Sequence, residues 1–251
     1  MPYAAVNDIQ LYYEEHGKGT PLVLVHGFSG AGAVWAGAIA AFAQNYRVIV
    51  PDLRAHGHST GSPETIHHVW FARDLVALLD HLQIDRAHFI GHSSGGMCLF
   101  FIGIYYPLRV RTLILVNTTY TFDEFAKRYM RQVADELEYQ PEAIKMSQQL
   151  HGPTHGNEHW KVHQEAFRAF TTDPNELPFQ PADLARIARP VLVLHGDRDP
   201  FFPVNIPTTM YRSMPNAELC ILPFTGHGIP EERPQLFMTI CSEFLQRHAN
   251  A

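Results

Sequence analysis

The chain has no block of basic residues, no cysteines at metal-binding spacing and no apolar stretch long enough to cross a bilayer, and each absence removes a class of function. Its 19 Lys and Arg against 25 Asp and Glu leave a formal charge of -6 with no Lys/Arg cluster, so neither nucleic acid nor an anionic lipid surface is an expected partner. Cys98, Cys220 and Cys241 are odd in number and lie in apolar runs without CxxC spacing. They read as buried free thiols rather than disulfides or a zinc knuckle. The longest apolar run, around residues 97–106, is too short for a membrane helix, and the N-terminus lacks a basic segment followed by an apolar one. A soluble cytoplasmic protein without a membrane partner is expected.

What is present is enough for a sizeable core: 251 residues, 46% of them hydrophobic, suit one domain carrying an insertion. Residues 3–6 and 9–15 are β-rich and separated by Asn7-Asp8, which is hairpin-turn chemistry. Short apolar strands then alternate with helical segments. Strands are expected at 22–25, 47–50, 87–90 and 112–116, and helices at 31–43, 66–82 and 96–106, the last stopped by Pro107. Such alternation implies parallel strands joined by crossover helices, and wholly apolar strands such as 22–25 and 191–194 imply a sheet covered on both faces. Between Val116 and Pro190 the rhythm gives way to roughly 70 residues of amphipathic helical spacing, including Phe122, Phe125, Tyr129, Met130, Val133 and Leu137. It resumes with strands at 191–194 and 218–222 and helices at 206–213 and 234–248. The expected organisation is an α/β core of residues 1–117 and 190–251 with a helical cap inserted at 118–189.

The chemistry concentrates at Gly91-His92-Ser93-Ser94-Gly95, where an apolar strand meets an apolar helix. That context suits a nucleophile elbow, a turn so tight that glycines must flank the serine. Three fixed positions arise by chance in about one chain of this length in ten, so placement and partners must carry the inference. A serine hydroxyl is a poor nucleophile at neutral pH and needs a general base, which in turn needs an acid to orient it. Both should follow later strands. After 191–194 comes His195-Gly196-Asp197-Arg198-Asp199-Pro200, and after 218–222 comes Thr225-Gly226-His227-Gly228. Asp197 and Asp199 compete for the acid position, while His227 is the candidate base. The segment Asn117-Thr118-Thr119 offers no carboxylate at the other placement, after the sixth strand.

With His26-Gly27-Phe28, Pro51-Asp52-Leu53-Arg54-Ala55-His56-Gly57-His58-Ser59, the elbow, Gly196-Asp197-Arg198-Asp199 and Gly226-His227, the chain resembles the α/β-hydrolase fold superfamily along essentially its whole length, and within it the compact capped esterase, lactonase and perhydrolase-type members. The order serine, acid, histidine is that family's and not the chymotrypsin or subtilisin order. The resemblance implies a mostly parallel sheet opened by an antiparallel hairpin, Ser93 as nucleophile, Asp199 as acid, His227 as base, and the backbone N–H groups of Phe28 and Ser94 as oxyanion hole. No cofactor is implied. Ala55 departs from the family, whose loop has glycine there. Serine at the elbow argues against haloalkane dehalogenases and epoxide hydrolases, which use aspartate.

The expected activity is hydrolysis of a modest-sized carboxylic ester or lactone through an acyl-enzyme. C–C bond hydrolysis and cofactor-free perhydrolysis share the triad, and a small-molecule receptor with slow or no turnover is the alternative from another class. Candidate pocket residues are His26, His92, Trp35, Met97, Phe122, Phe125, Tyr129, Trp160, Phe201 and Phe202, about half of which should be structural. Asp52 and Arg54 read as a loop-organising pair. His151, His155, His159 and His163 invite a metal hypothesis, but Gly152, Pro153 and Gly156 interrupt a single helix and leave only His159 and His163 as a pair, an incomplete site. Solvated cap histidines and no metal are expected.

Overall fold

A computed structural model describes residues 3–249; residues 1, 2, 250 and 251, the outer limits of the expected core, lie outside it. Eight strands form one sheet: β1 (Tyr3–Val6), β2 (Ile9–His16), β3 (Thr20–Val25), β4 (Tyr46–Pro51), β5 (Ala87–His92), β6 (Val110–Val116), β7 (Val191–Gly196) and β8 (Ala217–Leu222). Their spatial order is β1-β2-β4-β3-β5-β6-β7-β8. The β1–β2 and β2–β4 pairs are antiparallel, and the remaining pairs are parallel. Asn7 closes the opening hairpin at φ 47°, a left-handed conformation that Asn tolerates better than most residues.

Because successive strand residues point to opposite faces, each apolar strand feeds two cores. Val23, Val25, Phe89, Leu113, Leu115, Val191 and Val193 join Phe71 and Leu75 of α2 (His68–His81), Leu99 and Ile102 of α3 (Ser94–Tyr105), and Met210 of α8 (Asn205–Ser213). Leu22, Leu24, Ile90, Ile114, Val116, Leu192 and Leu194 join Phe42 of α1 (Ala36–Phe42) and Phe237 and Phe244 of α10 (Pro234–Arg247) on the other face. Each fully buried Leu or Phe contributes about 1.5–3 kcal/mol by leaving water. Helix α3 is buried from Ser94 to Ile104, which explains why it lacks a polar face.

Residues 31–43, expected as one helix, form a 3-10 turn (Gly32–Trp35) followed by α1. The Gly32 N–H donates to Asp52 Oδ1 at 2.6 Å, and a Cβ on Gly32 would lie 2.9 Å from Val50 Cγ1, so the backbone is drawn against β4 before the helix starts. Between β6 and β7 lie α4 (Glu124–Glu136), α5 (Pro141–His155), α6 (His159–Phe170) and the short α7 (Pro181–Leu184). Asp123 caps α4 by accepting from the Ala126 N–H at 2.8 Å. A single turn of helix, α9 (Ile229–Glu232), precedes α10. Among the described residues no helix is long and apolar enough to cross a membrane.

Candidate active site

The chain leaves β3 to pair β4 on one side and returns to pair β5 on the other, so the carboxyl ends of β3 and β5 flank a topological switch point, where open α/β sheets form their ligand crevice. The elbow lies there. Ser93 adopts φ 51° and ψ -118°, a conformation that a non-glycine residue holds only when its surroundings enforce it. A Cβ on Gly91 would sit 2.5 Å from Gly95 O, and one on Gly95 would sit 2.3 Å from Val25 O, so glycine is required at both. The Ser93 N–H donates to Val116 O at 2.9 Å, tying the turn to β6. Ser94 opens α3, and a backbone N–H in the first helical turn has no intrahelical acceptor.

Asp199 follows β7 and His227 follows β8. His227 Nδ1 lies 2.9 Å from Asp199 Oδ2, which also accepts from Asn117 Nδ2 at 2.7 Å. Asp199 Oδ1 accepts from the Phe201 and Phe202 N–H groups at 2.8 and 3.2 Å. Burial pushes this carboxyl's pKa up, but the hydrogen bond and charge of His227, with His195 and Asn117, outweigh burial and hold it below the ordinary value. Asp197 instead accepts from the Thr225 N–H at 3.3 Å and reaches neither histidine nor cavity. His92 Nε2 donates to His227 O at 2.8 Å, and burial depresses its pKa to about 3, so it holds the histidine loop as a neutral ring. Asn117 was not a candidate from sequence. Its signal is an amide directly after β6: Nδ2 also donates to Gly226 O at 3.1 Å and joins the loops after β7 and β8.

Ser93 and His227 line one cavity of about 210 Å³, together with Gly27, Phe28, Ser29, His92, Ser94 and residues of α4 and α6. Of the expected pocket residues, His92, Met97, Phe122, Phe201 and Phe202 line it. The others do not. Trp35 stacks on Phe237 at 5.9 Å in the opposite core, because its turn is drawn under β4. His26 is buried with both nitrogens committed, Nδ1 to Gly27 O at 2.7 Å and Nε2 to the Leu53 N–H at 2.9 Å, and organises two loops. Phe125 is 43% exposed, and Trp160 of α6 carries the Lys161 ammonium over its ring at 5.4 Å. Tyr129 packs edge-on to Phe201 at 4.9 Å, one layer behind the wall. Met130, Val133, Ala134, Gln164 and Phe167, placed there by the amphipathic period of α4 and α6, and Leu137 of the 3-10 turn after α4 line the rest of the wall.

The histidines correct the expectation more fully. Helix α5 continues through Gly152 and Pro153 to His155, so it carries His151 and His155 while α6 carries His159 and His163. The turn at Gly156 brings the four together: ring centroids are 4.1 Å apart for His155 and His159, and 4.6 Å for His151 and His163. Apart from half-buried His155 they are sealed rather than solvated, because they serve as donors to the loop after β4 and its neighbour. His159 and His163 Nε2 donate to Ala55 O at 2.8 and 2.9 Å, and His151 bridges the Gly57 N–H and Ser29 O. Burial, then the neighbouring rings, keeps His163 and His56 well below the ordinary pKa, so the cluster is neutral. Nor do Asp52 and Arg54 pair. Asp52 accepts from the Gly32 and His58 N–H groups, whereas Arg54 crosses to Asp74 at 2.7 Å and Asp8 at 2.8 Å. Among the described residues the one set with metal-compatible spacing is His67, Asp173 and Glu176, whose ligand atoms lie within 4.8 Å of one another, away from the cavity.

A sequence model of the alpha/beta hydrolase fold matches residues 20–154. A relative in Azorhizobium caulinodans named for carbamate hydrolysis is 30% identical, with 94% of this chain and 95% of that protein covered. A 2-hydroxy-6-oxononadienedioate/2-hydroxy-6-oxononatrienedioate hydrolase of Burkholderia vietnamiensis is also 30% identical, over 96% of this chain and 92% of its own. Among solved structures, Est816, described as an N-acyl homoserine lactone degrading enzyme, superposes with a TM-score of 0.80 at 29% identity, covering 97% of this chain and 100% of that one.

Proposed function

The chain belongs to the alpha/beta hydrolase fold family, and from that premise we propose that this hydrolase cleaves a carboxylic ester or lactone of modest size through an acyl-enzyme, with Ser93 as nucleophile, His227 as general base and Asp199 as the acid that orients it. One observation carries the proposal: the strained Ser93 elbow and the Asp199-bound His227 open on the same largely apolar cavity. His227 takes the Ser93 proton as Oγ attacks the acyl carbon. The developing oxyanion accepts N–H bonds from Phe28 and Ser94, and His227 returns the proton to the leaving alkoxide. Water repeats the cycle. Each oxyanion donor is typically worth about 2.7–4 kcal/mol in the transition state. The ionised Asp199 keeps the His227 tautomer that leaves Nε2 free to accept. Residues 118–189 serve as the cap, and residues 1–117 and 190–251 as the core that holds the acid–base machinery. With three unpaired cysteines, a cytoplasmic setting fits.

The cavity of about 210 Å³ suits a compact uncharged acyl group. The Burkholderia relative favours C–C bond hydrolysis as the second reading, since the same nucleophile and base would serve it. A panel of esters and lactones of graded acyl length, with vinylogous diketones alongside and a fluorophosphonate label on Ser93, tests both. Ester or lactone turnover abolished by Ser93→Ala is the expected result, and turnover of diketones alone would replace it with the C–C reading. Labelling without turnover of any member would point to a receptor, and persistence of turnover in Ser93→Ala would remove Ser93 from the reaction.

A further inference from the structure

The wall that α4, the 3-10 turn after it and α6 present to the cavity is built from Met130, Val133, Leu137 and Phe167, and is interrupted by two polar side chains, His163 and Gln164. His163 offers the cavity no free polar atom: Nε2 donates to Ala55 O at 2.9 Å and Nδ1 is sealed within the protein. Gln164 differs. Its Nε2 donates to Ala134 O at 2.6 Å, and because that partner is a carbonyl, the bond fixes which end of the amide is nitrogen. The other end, Oε1, has no hydrogen-bond partner among the described residues, and it is not one of the sealed atoms. Gln164 is buried and lines the cavity, so an anchored amide whose acceptor oxygen is neither partnered nor fully sealed belongs to an otherwise apolar wall.

We infer that Gln164 Oε1 is a recognition point for a hydrogen-bond donor, an N–H or O–H group carried on the acyl part of the substrate. The inference rests on the proposed acyl-transfer role of the cavity and narrows its substrate class. In the free protein, solvent entering the cavity is the partner open to Oε1. A purely hydrocarbon acyl group displaces that solvent and strands the acceptor, whereas an acyl group bearing a donor at the matching position replaces the lost bond. Leaving a buried acceptor unpaired costs enough to set a preference of about tenfold. The anchoring bond to Ala134 makes the discrimination sharp, since the amide cannot turn its NH₂ inward without losing it.

The test compares acyl esters matched in chain length, with and without a hydroxyl or amide N–H at successive carbons, on the wild-type protein and Gln164→Met. The wild type is expected to favour one donor-bearing member over its plain match by about tenfold in kcat/KM, and Gln164→Met to erase or reverse that ratio. A wild-type preference for plain chains throughout would overturn the inference, as would a Gln164→Met variant that lowers both members of every pair alike, the outcome expected of an α4–α6 tie alone. The thermal midpoint of Gln164→Met measures that tie separately. Calorimetric Kd values for the same pairs on Ser93→Ala, with and without Gln164→Met, give the ratio without turnover. If no ester is turned over but the Kd ratio still depends on Gln164, the hydrolytic proposal fails and the recognition point stands; a Kd ratio indifferent to Gln164 removes the recognition point.

Discussion

Asp199 and Glu176 are both buried carboxylates set against two histidines, and the contrast between them shows what an acid–histidine pair needs before it can serve the proposed chemistry. Asp199 holds His227 at 2.9 Å and has His195 Nε2 at 3.6 Å. Glu176, on the segment returning from α6 to α7, holds His67 Nδ1 at 2.5 Å, accepts from the His68 N–H at 2.9 Å and contacts His68 Nδ1. Its pKa is pushed up by burial but brought down to about 2 by His68 and His67, so both carboxylates are ionised. The difference lies on the far side of the imidazoles. His227 is partly open to the cavity that Ser93 shares, while His68 is fully buried among Phe71, Phe122 and Phe170, with Nε2 sealed and unpartnered. One pair sets its histidine on the cavity that Ser93 also lines. The other uses its charge to pin the returning segment to the N-terminus of α2, where a helix favours a negative group.

The largest effect should come from breaking the first pair. Asp199→Asn keeps size and most backbone contacts but removes the charge that orients His227, and turnover should fall about 10⁴-fold with near-native circular dichroism. Asp197→Asn, made in the same turn, should cost no more than a few-fold. If the two variants lose activity equally, the acid role does not belong to Asp199.

These two carboxylates also mark where sequence reasoning succeeds and stops. Strand positions, the parallel sheet and the loops after β5, β7 and β8 are legible because the core strands are short apolar runs broken by turn-forming residues, Gly91 in β5, Gly196 at the end of β7 and Pro223 after β8, and the candidate site residues sit just beyond those breaks. Ser93, Asp199 and His227 are local to such punctuation. Asn117 and Glu176 are not: each acts on a partner 82 or 109 residues away, a separation that no periodicity encodes. The histidines of α5 and α6 failed for a different reason. Gly152 and Pro153 argue against a helix in isolation, yet α5 runs through them because His151 locks its last turn onto Gly57 and Ser29, tertiary contacts that override local propensity. Ala55, the departure from the family's glycine, sits at φ 57°, so the loop keeps a glycine-like conformation around a methyl group, and its carbonyl receives His159 and His163.

Breaking the second pair should separate stability from chemistry. Glu176 has a folded pKa of about 2 against an ordinary 4.5, a gap worth on the order of 3 kcal/mol. The sign follows from the lowered value: the contribution is complete above pH 4.5 and is lost as pH falls from there towards 2. Glu176→Gln should therefore lower stability near neutral pH by roughly 3 kcal/mol, and the difference from wild type, followed by denaturant unfolding, should shrink steadily through that acid window. The rate of fluorophosphonate labelling at Ser93, measured on folded protein, should not change. A slowed label at full folding would mean that the returning segment shapes the site itself.

The smallest effect tests how the two histidines divide the work around Glu176. The His67 side chain is 32% exposed, whereas that of His68 is fully buried, so water already screens one contact and not the other. His67→Ala leaves Glu176 with the His68 N–H and ring, and should cost about 1 kcal/mol or less, the range of half-exposed pairs. It should also raise the Glu176 pKa, because one of the groups lowering it is gone, so that acid unfolding begins at a slightly higher pH than in wild type. A loss as large as that of Glu176→Gln would place the anchor at the exposed edge, on His67 and its neighbour Asp173 at 3.9 Å, rather than at the buried His68 that the two-carboxylate contrast identifies.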